Sequence, residues 1–185
     1  MSNIFDKKIN IISFLILTGL TYLLNFCNKI YECALIFTCI ILVTNCITFL
    51  SNRNNSLKQL SLATLVSFIA LFKMPYYIDG QIINGLVFAS FVSLIISTYW
   101  SSLFFNNLKE KYSFLLTNFI SIFIAAVIDG FVMGLFFLIN NKFSILRIID
   151  IFVREISYKT IYDLAFSIIL FISFKIFTLI IKTNN

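Results

Sequence analysis

Histidine is absent from this chain of 185 residues, and proline occurs once. Without histidine, a zinc or haem site has almost no ligands to draw on. The four cysteines, Cys27, Cys33, Cys39 and Cys46, contain no CxxC pair. They fall in or beside one apolar run and are expected to be small buried apolar side chains, with no disulfide framework and no cofactor. Charge is equally scarce. Only 12% of residues are charged, eight of them acidic against fourteen basic, for a net charge of +6. No linker rich in proline, glycine or serine divides the chain, and no residue-level repeat is visible, so residues 1–185 read as one domain. The first apolar run is too long and lacks the small-residue cleavage site of a removable signal peptide.

What remains is apolar. Hydrophobic residues make up 60% of the chain, 23 of them Phe, and the mean hydropathy is +0.98, beyond the range of a soluble core. Six runs are long enough to suggest membrane spans, at about 10–26, 30–50, 57–72, 83–105, 114–139 and 160–181. The third is short, leaving a hydrophobic hairpin open as an alternative there. The predicted fold is therefore all-α: a polytopic integral membrane protein of six transmembrane helices. A short amphipathic connector, 142–158, precedes the last span, with Arg147, Asp150 and Arg154 on one helical stripe. It reads either as an interfacial helix or as a cap over an external cavity.

Loop charges set the expected orientation. With the N-terminus inside, the cytoplasmic segments hold Lys7, Lys8, Arg53, Lys58, Lys109, Lys111 and Lys182, against Lys29 and Lys73 in the two short outer loops. Both termini are expected in the cytoplasm. The last outer segment runs against this bias with Lys142, Arg147, Arg154 and Lys159. The net positive charge is accounted for by this topology and by anionic lipid, so no nucleic-acid partner is expected.

Asp129 stands out, a carboxylate near the middle of the fifth run. Inserting an ionisable side chain at the centre of a bilayer costs on the order of 3 kcal/mol. Asp129 must therefore face protein, a partner or a water-filled cavity, either as a site or as a structural acid bonded to a neighbouring helix. A second polar group opens the last span, where Glu155, Lys159 and Asp163 are spaced to form a ladder on one face beside Tyr162. Lys175 lies near the far end, where a lysine can snorkel.

Four collinear patterns resemble a known family. They are Val43-Thr44-Asn45 with Thr48 and Arg53, Ala89-Ser90 running to Thr98, Ile128-Asp129-Gly130-Phe131, and Lys159 with Tyr162-Asp163. Together they are similar to the queuosine precursor transporters, the vitamin-uptake-transporter family of bacterial inner-membrane proteins. The chain departs from the family pattern at Asn45, where the family carries Asp. It departs again at Phe49 for Glu, at Ser51 and Asn52 for Tyr-Gly, at Thr98 for Gln, at Ala126 for a polar residue and at Ile168 for Pro.

The resemblance implies a non-enzymatic importer in the bacterial inner membrane, moving a 7-deazaguanine precursor or another small polar cargo. Asn45, Ser90, Thr98 and Asp129 would be hydrogen-bond partners of the cargo, with Lys159, Tyr162 and Asp163 at the entrance and Tyr99, Trp100 and Phe131 stacking on the ring. Asp129 would bind a cargo amine or carry a coupling proton. Three other classes compete. One is the membrane subunit of an energy-coupling-factor importer, although the first helix lacks an Ala ladder. Another is an intramembrane aspartyl protease, although its Gly-x-Gly-Asp element is missing. The third is a non-transporting scaffold.

Overall fold

A computed structural model of the protein describes residues 2–27, 29–71, 77–78, 81–82, 85–140 and 143–183. Six helices account for nearly all of it: α1 (Ser2–Leu24), α2 (Ile30–Leu50), α3 (Arg53–Leu71), α4 (Leu86–Leu108), α5 (Phe114–Asn140) and α6 (Ile145–Thr183). Two short strands, β1 (Tyr77–Ile78) and β2 (Gln81–Ile82), pair antiparallel between α3 and α4. Lys73 and Asp79 lie outside the described residues, and so do the side chains of Lys7, Lys8, Lys142, Lys175 and Lys182.

Local chemistry explains the helix limits. Asn52 accepts a hydrogen bond from the Asn55 backbone amide at 2.7 Å and starts α3. Ser113 and Ser144 accept the amides of Leu116 and Arg147 in the same way and start α5 and α6. Gly85 enters α4 at φ 81, a left-handed conformation that glycine adopts without strain.

The predicted amphipathic connector is not a separate helix. It forms the first part of α6, which runs unbroken through the predicted start of the last span at Thr160. Residues 145–183 contain no glycine or proline, so nothing in the sequence breaks the backbone ladder. At 39 residues, α6 is about 58 Å long, well beyond a hydrocarbon core of roughly 30 Å.

Three helices, α2, α4 and α5, are long and apolar enough to cross a membrane. α1 contributes a shorter apolar stretch, Asn10–Leu24. The expected third span, α3, falls short of that apolarity because one face is polar and is spent on α1. Ser13 donates to Gln59 at 2.7 Å, Thr21 and Ser67 share a hydrogen bond at 2.8 Å, and Asn55 donates to Asn10 at 2.9 Å. Interhelical hydrogen bonds of this kind hold helices together where lipid offers no hydrophobic drive.

α2 packs against all five other helices. Around it Leu17, Phe37, Ile40, Ile41, Leu94 and Ile122 form the main apolar core. The hydroxyls of Thr38, Thr44 and Thr48 turn back to carbonyls four residues earlier at 2.8–2.9 Å, satisfying themselves within the helix. Large apolar side chains are exposed along every helix, while Ser, Thr and Asn fill much of the interior. A bundle surrounded by hydrocarbon shows this arrangement, because its outside needs no polar groups.

Helix pairs fix the register. Phe105 and Phe49 both meet Phe114, Ser93 meets Asp129, and Lys159 meets Asp129 and Phe37. The C-terminal ends of α1, α3 and α5 and the N-terminal ends of α2, α4 and α6 therefore gather at one end, the end that the loop charges predict to be external. α5 and α6 approach closely at Gly130 and Gly134, a small-xxx-small spacing. A Cβ on Gly130 would lie 2.8 Å from the Phe152 ring. Gly130→Val is expected to push α6 away and lower folded yield by overpacking of about 1–3 kcal/mol. Thermal unfolding in detergent reads this directly, and an unchanged midpoint would show that the Phe152 ring simply moves aside.

Candidate functional site

A cavity of about 370 Å³ occupies the end of the bundle where these helix ends meet. Leu24, Asn25 and Cys27 close one side from the α1–α2 turn. Ile30, Cys33 and Phe37 face it from α2, and Leu86 and Ser90 from α4. Met133 and Phe137 of α5 continue the wall. Phe143 and then Arg147, Asp150, Ile151, Arg154 and Glu155 cover it from the start of α6. The segment predicted as either an interfacial connector or a cap thus lines an end cavity. Arg154 donates to Asp150 at 2.9 Å along its exposed side, and Arg147 lies over the Phe143 ring. Burial, and then nearby Glu32, push the Cys27 thiol up and disfavour the thiolate.

The floor is ionic. Asp129 lines the cavity, and its two carboxylate oxygens accept from different helices, Oδ1 from the Ser93 hydroxyl and Oδ2 from the Lys159 ammonium. Lys159 is 1% exposed. It also donates to Glu155 Oε1 at 2.6 Å, and its Nζ sits 3.9 Å from the centre of the Phe37 ring. One ammonium is therefore held between two carboxylates and an aromatic face. The close approach at Gly130 brings this about, because Asp129 is its neighbour and Lys159 lies one turn beyond Ile156, which flanks the same glycine.

No family model, curated protein or solved structure matches this chain. The site therefore stands on its own geometry.

Of the residues expected to meet cargo, Asp129 and Ser90 line the cavity. Lys159 is not at an entrance. It lies behind the floor, as the counter-ion of Asp129. Asp163, also expected at the entrance, is fully buried one helical turn further in, and neither of its oxygens has a hydrogen-bond partner among the described residues. Tyr162 is half-buried and does not line the cavity.

Asn45 and Thr98 belong to a separate, deeper polar layer. Asn45 donates to Asn118 at 2.8 Å and to Ser121 at 2.6 Å, and the buried Thr98 hydroxyl has no partner among the described residues. Their positions one to two turns past the cavity floor on α2 and α4 put them out of its reach. The expected stacking residues Tyr99, Trp100 and Phe131 are exposed on the outside of the bundle, Phe131 at 60%. Phe37, Phe137 and Phe143 take the aromatic positions instead.

Sequence reasoning passed over Ser93 and Phe37 as site residues. Ser93 follows Ser90 by three positions and so shares its helix face, which was the available signal. Nothing comparable marks Phe37 among 23 phenylalanines.

Proposed function

We propose that this protein is a bacterial inner-membrane importer of a small polar heterocycle, with a queuosine precursor of the 7-deazaguanine type as the first cargo to test. One observation carries the reading: an aromatic-walled cavity at the loop end of an apolar bundle, floored by ionised groups that lipid would not tolerate. Its volume of about 370 Å³ falls within the roughly 300–1,000 Å³ typical of small-ligand sites. Few polar groups converge on it, and they come from several helices, which suits recognition of a planar, hydrogen-bonding ring.

In this reading all six helices cross the membrane, α1 and α3 as a pair whose polar faces are turned to each other. Both termini are cytoplasmic and the cavity faces outward. Asp129 is the residue that meets the cargo, or the coupling proton if the cargo is neutral. Arg147, Asp150 and Arg154 cover the mouth, and Ser90 offers a hydroxyl from the facing wall.

The test is uptake of radiolabelled 7-deazaguanine precursors by a host lacking its own importer, with a reporter fused after Asn185. Accumulation above the empty-vector control and a cytoplasmic reporter signal are expected. Normal membrane abundance without accumulation of any precursor would remove the importer reading. A reporter signal from outside would remove the six crossings.

A further inference from the structure

Asp163 is a carboxyl in the interior of the bundle, on α6. It is fully buried, and both its oxygens lack hydrogen-bond partners among the described residues. One turn before it on α6 stands Lys159, whose ammonium bonds to Asp129 and Glu155 and turns its remaining side to the Phe37 ring. Residues four apart on a helix are neighbours, about 6 Å apart along the axis. Side chains lean toward the helix N-terminus, so Lys159 leans to Glu155 while Asp163 leans toward Lys159. Asp163 is thus the next carboxyl along that face of α6, on the inner side of Lys159.

The geometry points to an ion-pair exchange: a cargo bearing a positive amine takes Asp129 and Glu155 from the cavity side, and Lys159 turns inward to Asp163. The drive is electrostatic. Asp129 and Glu155 face the cavity and Lys159 together, so a cationic group bound there sits close to the Lys159 ammonium. Two like charges at such range in a protein interior repel strongly. Movement by one turn relieves the repulsion and pairs Lys159 with Asp163, whose carboxyl gives up its proton to solvent as the ammonium arrives. The substrate class follows, a ring compound carrying an ammonium group. Asp163 acts through Lys159 and is a positioning residue, while Asp129 and Glu155 touch the cargo. The exchange deepens the importer reading above and rests on it.

The experiment uses the full chain in lipid nanodiscs and two probes of one shape, benzylammonium and benzyl alcohol. Benzylammonium is expected to bind at least about tenfold more tightly, a difference of about 1.4 kcal/mol. Asp163→Asn should weaken benzylammonium about tenfold and leave benzyl alcohol unchanged, since only the cation requires Lys159 to move. Asp163→Glu should restore the preference. Should the Asn form not fold, Asp163→Ser takes its place in the same comparison, with the same expected loss for benzylammonium alone. Equal affinities for the two probes, or an unchanged benzylammonium affinity in Asp163→Asn, would overturn the exchange. So would a loss of both probes together, which would make Asp163 a structural acid. Amine preference without uptake of any cargo would fell the importer alone, and uptake without amine preference would fell the exchange alone.

Discussion

Asp129→Asn is expected to reduce uptake at least tenfold while membrane abundance holds, a transition-state loss of about 1.4 kcal/mol or more. Asparagine keeps the shape of the side chain and an oxygen to accept from Ser93. It removes the charge that a cationic cargo would meet at the cavity floor. Lys159 keeps Glu155 at 2.6 Å, so the buried ammonium retains a counter-ion and the bundle still assembles. Asp129→Leu differs in kind. It strips Lys159 of one carboxylate and Ser93 of its acceptor inside a dry interior, and folded yield should drop as well. Uptake and abundance measured in parallel on both variants separate the roles. Near-normal transport by the Asn form would show that Asp129 is a structural acid and not a charge-dependent site.

Removing the cation has the larger effect on stability. Lys159→Met leaves Asp129 and Glu155 facing each other, without a counter-ion, where the ammonium had been. Breaking a buried pair from one side costs about 3–5 kcal/mol, a large share of the stability of a small bundle. The expected result is loss of the monodisperse peak on size exclusion in detergent. Adding Asp129→Asn to Lys159→Met removes one of the stranded charges, so the double variant should recover much of the yield lost by the single one. A double variant no better than Lys159→Met would mean that Glu155, and not Asp129, is the carboxylate that Lys159 must neutralise.

The floor of the cavity was half legible beforehand. Asp129 announces itself, because one carboxylate in a long apolar run has few tolerable environments. The Glu155–Lys159 contact follows from helical spacing and is realised at 2.6 Å. The bond from Lys159 to Asp129 spans 30 residues and two helices, and no local pattern encodes it. Its nearest trace is Gly130 with Gly134, which marks the face of α5 that lets α6 come close. The same spacing rule that extends the ladder to Asp163 misleads, since Lys159 bonds to Asp129 and Glu155 and Asp163 has no hydrogen-bond partner among the described residues.

Composition was enough to establish an apolar, mostly helical chain, with α2, α4 and α5 near their expected bounds, and one residue that lipid could not accept. These follow from properties of single segments: length, hydropathy and the presence or absence of breakers. Which face of each helix turns inward followed only from assembly. In a soluble bundle that face is the apolar one, but here both the lipid-facing and the inward-facing sides carry Ile, Leu and Phe, so periodicity is nearly silent. For that reason Tyr99, Trp100 and Phe131 could be taken for cavity aromatics when they lie outside, and Asn45 and Thr98 for cargo ligands when they pack in a deeper layer. The continuity of α6 falls between the two cases. The absence of glycine and proline from 145–183 permits one long helix, but packing of its first turns over the cavity, through Ile148, Ile151 and Phe152 against α5 and its neighbours, makes the connector a wall of the site.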